Sequence, residues 1–130
     1  MVKIKGKVSN ISISIFIDPI AFQSYVSPNI VDTCKINKVK HEKAWMIQLA
    51  TSTKRKVLEL VRDCEVNLNM FPTEIDLNIL PLGSYNVLIS MDWLEQHHGV
   101  LDCLNKSILC MDSQGNQTKI QGIPKKVSVR

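Results

Sequence analysis

The sequence has 130 residues, of which 45% are hydrophobic, and a formal net charge of +4 at pH 7. This length is typical of one domain, and the apolar content can support a buried core, so extensive disorder is excluded. The basic residues lie in short runs without interleaved aromatic residues, so we do not expect a nucleic-acid partner. No apolar run approaches the roughly 20 residues of a membrane-spanning helix, so no membrane association is expected.

The N-terminus and the cysteines indicate a reducing compartment. Residues 1–5 (Met-Val-Lys-Ile-Lys) lack the apolar core of a signal peptide. The four cysteines form no Cys-x-x-Cys pair: they are Cys34, Cys64, Cys103 and Cys110. We therefore expect an intracellular, cytoplasmic protein with free thiols.

Two runs of alternating apolar and polar residues open the chain. Residues 4–8 and 11–17 flank the polar pair Ser9-Asn10, which predicts a β-hairpin. The second strand ends at Asp18, directly before Pro19. A carboxylate after an apolar strand is costly to bury unless water reaches it or chemistry uses it. An Asp before proline is also common in solvated turns, so local sequence leaves both interpretations open.

The middle of the chain contains further strand patterns. Residues 24–31 predict an irregular turn or a short helix, interrupted by Pro28. Residues 44–50 predict a strand that ends in the polar tip Thr51-Ser52-Thr53. A long alternation follows, with apolar residues at most even positions from 58 to 70, and a further strand covers residues 75–79.

The C-terminal half predicts a buried strand, a short helix and a second hairpin. Residues 85–89 are continuously apolar except for one Asn, which is typical of a strand buried on both faces. Residues 91–98 predict a helix, and hairpin strands flank Asn105-Lys106. About eight short strands and one short helix make an all-β barrel or sandwich. We expect the domain to span residues 1–123, followed by a basic tail or linker at 124–130.

Other candidate chemistry is weakly supported. His97-His98 with Cys103 and Cys110 matches no zinc spacing, and adjacent histidines on a helix point apart, so we predict a solvated helix end and no metal or cofactor. No Ser or Cys lies in a sharp glycine-flanked turn that would present a nucleophile. Asp32 and Asp112 also follow apolar residues, and both are interpreted as structural.

Two segments resemble retropepsins of gypsy-class LTR retrotransposons. Residues 15–27 (Ile-Phe-Ile-Asp-Pro-Ile-Ala-Phe-Gln-Ser-Tyr-Val-Ser) resemble the active-site segment, in which a strand ends in Asp-Ser/Thr-Gly-Ala. Residues 80–94 (Leu-Pro-Leu-Gly-Ser-Tyr-Asn-Val-Leu-Ile-Ser-Met-Asp-Trp-Leu) resemble the family's more specific second motif. The resemblance covers roughly residues 6–123 in the same order.

This resemblance implies a small closed acid-protease barrel with one short helix near the C-terminal part. It implies that Asp18 is the catalytic acid, that Ala21 lines the substrate site, and that Ala50, Thr51, Ser52 and Thr53 form a flap over an extended peptide. An aspartic protease needs two carboxylates that share one proton, and this chain has one candidate motif. A symmetric homodimer is therefore expected, with one Asp18 from each copy.

The chain departs from the family at four motif positions. Pro19 replaces the Ser or Thr whose hydroxyl joins the two copies beneath the acids, and Ile20 replaces a glycine. Asn86 replaces an Asp, and Ser90 replaces a glycine where two loops pack. We therefore predict a degenerate, catalytically impaired aspartic endopeptidase domain from a gag-pol polyprotein. The alternative is a non-catalytic peptide-binding or dimerisation module on the same fold.

Overall fold

The computed structural model describes residues 2–48 and 54–124 of the chain. Within these ranges the chain forms ten strands and two short helices. The strands are β1 (Val2–Val8), β2 (Ile11–Ile17), β3 (Tyr25–Val26), β4 (Val39–Gln48), β5 (Lys54–Leu68), β6 (Pro72–Ile79), β7 (Val87–Ile89), β8 (Val100–Asp102), β9 (Ser107–Met111) and β10 (Gln117–Gln121). The helices are α1 (Pro28–Thr33) and α2 (Met91–Gln96), and neither is long and apolar enough to cross a membrane.

Six strands close into a ring. The larger sheet has the order β1-β2-β7-β3-β6-β5-β4, and β1 also pairs with β5 where Gly6 lies opposite Leu68. A Cβ atom on Gly6 would clash with the carbonyl oxygen of Asn67, so the close approach of these two strands requires glycine. This architecture confirms the predicted small, closed all-β fold.

The predicted N-terminal hairpin is confirmed, and the structure gives its register. Val2 pairs with Ile17 and Val8 pairs with Ile11. The two turn residues, Ser9 and Asn10, have φ angles of 49° and 66°, which are characteristic of the two-residue turn whose twist matches the flanking strands. The hairpin therefore brings the end of β2 to a defined place beside β7.

The main core lies inside the ring and beneath the smaller sheet. That smaller sheet has the order β10-β9-β8, and the segment that follows β10 is joined to the N-terminal strand by a hydrogen bond from the Ile123 N–H to the Lys3 carbonyl oxygen at 2.8 Å. The core consists mainly of branched aliphatic side chains around one Trp: the largest fully buried members are Trp93, Ile4, Ile15, Ile17, Leu68, Leu77, Ile89, Ile108 and Ile120. Burying each such side chain contributes about 1.5–3 kcal/mol, so this core is the chief source of stability.

A second apolar cluster lies on the other face of the β3–β7 pair. Its buried members are Tyr25, Val57 and Leu80, and the partly buried Trp45, Ile47, Leu82 and Leu88 pack against them. Val26 and Val87 pair and point into the main core, whereas Tyr25 and Leu88 pair and belong to this second cluster. Successive residues of these strands therefore serve two separate apolar layers.

The long alternation predicted for β5 is correct in its second half and only partly correct in its first half. Val57 is fully buried, whereas Leu58, predicted to point inward, is 45% exposed. Leu60 is buried as predicted, and so is its neighbour Val61, which packs in the main core. A bulge between Val61 and Cys64, where Asp63 has a φ of 48°, shifts the phase of the core-facing positions, so the even positions face the main core from Cys64 to Leu68. Met70 was also predicted to point inward but is 88% exposed, because the strand ends at Leu68.

The predicted C-terminal helix is confirmed as α2, and the structure adds a second helix. Helix α1 begins at Pro28, which the sequence interpretation treated as an interruption. Proline suits the first turn of a helix because its φ is already helical and its missing N–H has no partner to lose there. The described residues contain ten strands where about eight were predicted, and β3, with two residues, is too short for a recognisable alternation.

Candidate active site

Asp18 lies directly after β2 and is held against β7. The two strands run parallel, with Phe16 opposite Leu88 and Ile17 opposite Ile89. The backbone N–H of Asp18 donates to the carbonyl oxygen of Ile89 at 2.9 Å, which extends this ladder by one residue. The backbone of Asp18 is therefore anchored at the C-terminal end of β2, and the residue is half-buried.

The Asp18 carboxylate accepts a hydrogen bond from the turn that follows. The backbone N–H of Ile20 donates to Asp18 Oδ1 at 2.9 Å. Ile20 is outside the left-handed φ region, so its β-branched side chain causes no backbone strain. Pro19 contributes neither an N–H nor a hydroxyl to this turn. The residue at position 20 therefore supplies a backbone hydrogen bond to the carboxylate within this turn.

The start of α2 clamps the loop that follows Asp18. The N–H groups of Met91 and Asp92 donate to the carbonyl oxygens of Ala21 and Phe22, at 3.0 and 3.2 Å. Ala21, which was predicted to line the substrate site, is half-buried, and its carbonyl oxygen accepts one of these two hydrogen bonds. The loop is held by long-range hydrogen bonds and not by its own secondary structure.

Ser24 is the centre of this clamp. Its hydroxyl donates to Asp92 Oδ1 at 2.6 Å and accepts from the N–H of Ser90 at 3.0 Å. Its own N–H donates to Asp92 Oδ2 at 3.0 Å. The sequence interpretation noted Ser24 and Asp92 only as motif letters and did not assign them this positioning role. An Asp in the first turn of a predicted helix was the available indication, because that position favours a carboxylate.

The two other departures from the motif are accommodated. Asn86 Oδ1 accepts from the Ser14 N–H at 2.8 Å, as a carboxylate oxygen would. Ser90 is fully buried and has an extended backbone (φ −129°, ψ −163°) that does not require glycine. Its hydroxyl oxygen is buried without a hydrogen-bond partner among the described residues. The serine at position 90 therefore introduces a buried hydroxyl without a partner among the described residues, but it introduces no backbone strain.

The two arms of the predicted flap are strands β4 and β5. Trp45 lies opposite Val57 and Ile47 lies opposite Arg55, and this part of the pair packs over the second cluster. The predicted flap residues Ala50, Thr51, Ser52 and Thr53 lie outside the described residues. The arms are joined to the Asp18 loop by a polar chain: His41 Nε2 is 2.8 Å from Asn78 Oδ1, and Asn78 Nδ2 donates to Gln23 Oε1 at 2.7 Å.

Two large apolar side chains are exposed beside Asp18. Ile20 and Phe22 are each 83% exposed, although both lie in a loop whose backbone is well anchored. Single exposed apolar residues are ordinary, but two in the loop that follows a candidate catalytic acid are a candidate contact surface.

The other groups considered from sequence have structural environments. The His97 ring packs on Trp93 with centroids 4.5 Å apart, while His98 is exposed, so only His98 fits the predicted solvated helix end. The described residues contain no cluster of three metal-ligating side chains. Asp112 Oδ1 accepts from the N–H groups of Gln114 and Asn116, as expected of a turn residue.

A surface concavity between several turns lies away from Asp18. It has a volume of about 1180 Å³ and is bordered by the β1–β2 turn, the β5–β6 turn and the end of α2. Its lining mixes opposite charges with apolar residues, including Lys7, Glu74, Phe71 and Asp112. Because it brings together no set of groups with a recognisable catalytic geometry, the candidate chemistry remains at Asp18.

Comparison with known proteins agrees with the observed fold. The sequence profile of the family described as "Retroviral aspartyl protease" matches residues 2–116. Among solved structures, the retroviral protease-like domain of Ddi1 from Leishmania major superposes with a TM-score of 0.68 at 15% sequence identity, covering 95% of this chain and 94% of that chain. No curated protein matches the sequence significantly. The structural match establishes a retropepsin-like fold.

Proposed function

Because the chain belongs to the retroviral aspartyl protease family, we propose that it is an aspartic endopeptidase domain that acts as a homodimer and whose catalysis is impaired. Asp18 is the proposed catalytic acid. Its substrate is an extended polypeptide held between the Asp18 loop and the β4–β5 arms. No metal or cofactor enters the proposed reaction.

The observation that carries this proposal is the anchoring of Asp18. Its backbone is bonded to Ile89, and its carboxylate oxygen Oδ1 accepts from the Ile20 N–H at 2.9 Å. The following loop is held by Ser24 and Asp92. A carboxylate used in catalysis must be held within a fraction of an ångström of its working position, since a displacement of about 1 Å can cost about 10²-fold in rate.

Hydrolysis by this chemistry needs two such carboxylates. One activates a water molecule that attacks the peptide carbonyl, and the other protonates the carbonyl oxygen. The chain has one Asp in this setting, so the second must come from another copy across a two-fold axis. The pair would share one proton and titrate as a unit. The exposed Ile20 and Phe22 supply apolar surface next to Asp18 that such a dimer would cover.

The proposed impairment rests on Pro19. In the family, the residue at this position carries a hydroxyl that joins the two copies beneath the acids, and proline has neither a hydroxyl nor an N–H. Without that link the two carboxylates are not held at a shared-proton distance. A displaced acid–base pair costs on the order of 10²–10⁴-fold in rate. Together with the gypsy-type motif at residues 80–94, this loss supports descent from a retrotransposon gag-pol polyprotein as a decayed copy.

A direct assay tests the proposal. The purified 130-residue chain is incubated with a peptide library at several pH values, and products are identified by mass spectrometry. We expect cleavage at or near background. Robust cleavage that pepstatin inhibits and that Asp18→Asn abolishes would refute the impairment while supporting the catalytic assignment. Sedimentation measurements on the same sample test the homodimer, and a monomer at all concentrations would contradict it.

The second candidate function is a non-catalytic peptide-binding module. The second cluster favours it, because Leu82, Leu88 and Ile47 remain only partly buried there and offer apolar surface beneath the β4–β5 arms. Peptide binding without hydrolysis needs this surface but not a shared proton. Binding of peptides by a correctly folded dimer that no repair of position 19 makes active would favour this alternative.

A further inference from the structure

The net charge of the protein is concentrated in one hairpin. Residues 38–59 contain six of the 16 Lys and Arg residues but two of the 12 Asp and Glu residues, so this segment accounts for the whole formal net charge of +4. The segment comprises β4, the first part of β5 and the connection between them. The rest of the chain is electrically balanced. A local excess of one sign beside a groove raises the local concentration of ligands of the opposite sign.

Arg55 is the cation of β5 that lies on the face of the second cluster. It lies directly opposite Ile47, so the two side chains emerge on the same face of the strand pair. It also lies two residues before Val57, which is fully buried in the second cluster that Ile47 packs against. Lys54 and Lys56 alternate with Arg55 and lie on the opposite face. Arg55 itself is exposed.

Arg55 forms no ion pair with any of the residues that the structure describes. Among the described residues, the one ion pair within 4.0 Å joins Lys38 to Glu59, at 3.9 Å. Glu59, the acid of β5 nearest to Arg55, is therefore already engaged. Arg55 presents five N–H donors beside apolar surface, an arrangement suited to a carboxylate.

A second cation borders the same face. Phe16 lies opposite Leu88 in the β2–β7 ladder, and its ring stacks on Tyr85 with centroids 4.4 Å apart. Lys3, which pairs with Phe16, has its Nζ 5.7 Å from the Tyr85 ring centroid. Because Ile15 and Ile17 point into the main core, Phe16 and Lys3 lie on the face that carries the second cluster.

We propose that the groove beneath the β4–β5 arms selects extended peptides that carry an acidic side chain, which Arg55 binds. This inference rests on the proposed function, since it names the class of peptide that the same groove would hold. A peptide fits better than a nucleic acid because Arg55 stands over aliphatic side chains. Trp45, the one Trp, Tyr or Phe side chain of the strand pair, packs against His41 and the second cluster, so the pair offers no series of aromatic rings on which successive bases could stack.

The test compares peptides that differ in a single charge. Fluorescein-labelled octapeptides share an apolar sequence and carry Glu, Gln or Lys at one central position, which is scanned over four positions. Fluorescence anisotropy measures binding to the full chain at low and moderate salt, and mass spectrometry verifies that the peptides stay intact. We expect the best Glu peptide to bind about 5-fold more tightly than its Gln counterpart, with the difference reduced by salt.

Matched variants assign the preference to Arg55. Arg55→Gln is expected to remove the preference for Glu over Gln, and Arg55→Lys to retain most of it. Lys119→Gln makes the same charge change on β10, in the smaller sheet, and is expected to leave the preference intact. Equal binding of the Glu and Gln peptides by the wild-type chain would overturn the inference but leave the peptide groove standing. An equal loss of the preference in Lys119→Gln would also overturn the inference, because it would show that the overall charge of the protein, and not Arg55, sets the preference.

Two further outcomes separate the inference from its premise. If none of the peptides binds at any position, the proposed peptide groove fails and the inference fails with it. The second outcome has three parts: a single-stranded oligonucleotide binds tightly, Arg55→Gln abolishes that binding, and the peptides show no preference for Glu. Together these results would show that the hairpin is a nucleic-acid surface and would overturn the inference.

Discussion

Ser24 and Asp92 are joined by two hydrogen bonds although they lie 68 residues apart in the chain. The Ser24 hydroxyl donates to Asp92 Oδ1 at 2.6 Å, and the Ser24 N–H donates to Oδ2 at 3.0 Å. The same hydroxyl accepts from Ser90, so one side chain joins the loop after Asp18 to the start of α2. The position of the proposed catalytic acid therefore depends on this contact as well as on its own strand.

Removing the Asp92 carboxylate should destabilise the protein. Asp92→Ala leaves both Ser24 donors without their acceptor, and we expect the free energy of unfolding to fall by about 2 kcal/mol, since hydrogen bonds to charged groups are the stronger ones. Glu95→Ala, an exposed substitution on the same helix, should change it by less than about 0.5 kcal/mol. Urea unfolding measures both, and equal small effects would contradict the proposed clamp.

Removing the Ser90 hydroxyl should stabilise the protein. Ser90 precedes α2, a position where Ser→Ala ordinarily costs about 0.5–2 kcal/mol because a capping hydrogen bond is lost. Here the hydroxyl makes no capping bond, and its oxygen is buried without a hydrogen-bond partner in the part of the chain that the structure describes. We therefore expect Ser90→Ala to raise the free energy of unfolding by about 1 kcal/mol. A decrease in the same urea assay would mean that the hydroxyl has a partner.

Stability should fall in alkaline solution because of Cys64. Burial, with smaller contributions from Cys34 and Glu65, raises the pKa of the Cys64 thiol from 9.0 to about 11. Between these values the unfolded chain loses the thiol proton while the folded protein keeps it, so unfolding is favoured as the pH rises. Unfolding midpoints at pH 8, 9, 10 and 11 measure this fall, and Cys64→Val should reduce it. A fall of unchanged size in Cys64→Val would assign the effect to other groups, such as Tyr25, whose pKa burial also raises.

Repair of position 19 should restore more activity than repair of position 20. Pro19→Ser supplies the missing hydroxyl, whereas the Ile20 N–H already donates to Asp18 Oδ1. We expect Pro19→Ser with Ile20→Gly to raise peptide cleavage by about 10² or more over the wild-type chain, with Pro19→Ser alone giving most of the gain. Adding Asp18→Asn to the double variant serves as the control and should return cleavage to background. Recovery by Ile20→Gly alone would contradict this order.

The sequence by itself determined the local elements. The alternation on either side of Ser9-Asn10 specified the first hairpin and its register, because side chains of a strand alternate between two faces and a two-residue turn leaves one pairing. The apolar run before Asp18 and the motif around Trp93 likewise predicted the end of β2 and helix α2. The resemblance to retropepsins also came from these segments, and the family assignment followed from sequence.

Tertiary structure decided which separate segments meet. No local pattern predicts that Ser24 binds Asp92, that a bulge at Asp63 shifts the phase of β5, or that Arg55 faces the second cluster. Each of these depends on contacts between residues far apart in the chain, whose pairing is selected by the packing of the whole core. Local periodicity shows which side chains of a strand share a face, but it does not show which other segment packs against that face. For that reason the candidate acid Asp18 was found from the sequence, whereas the residues that hold its loop in place, Ser24 and Asp92, were not.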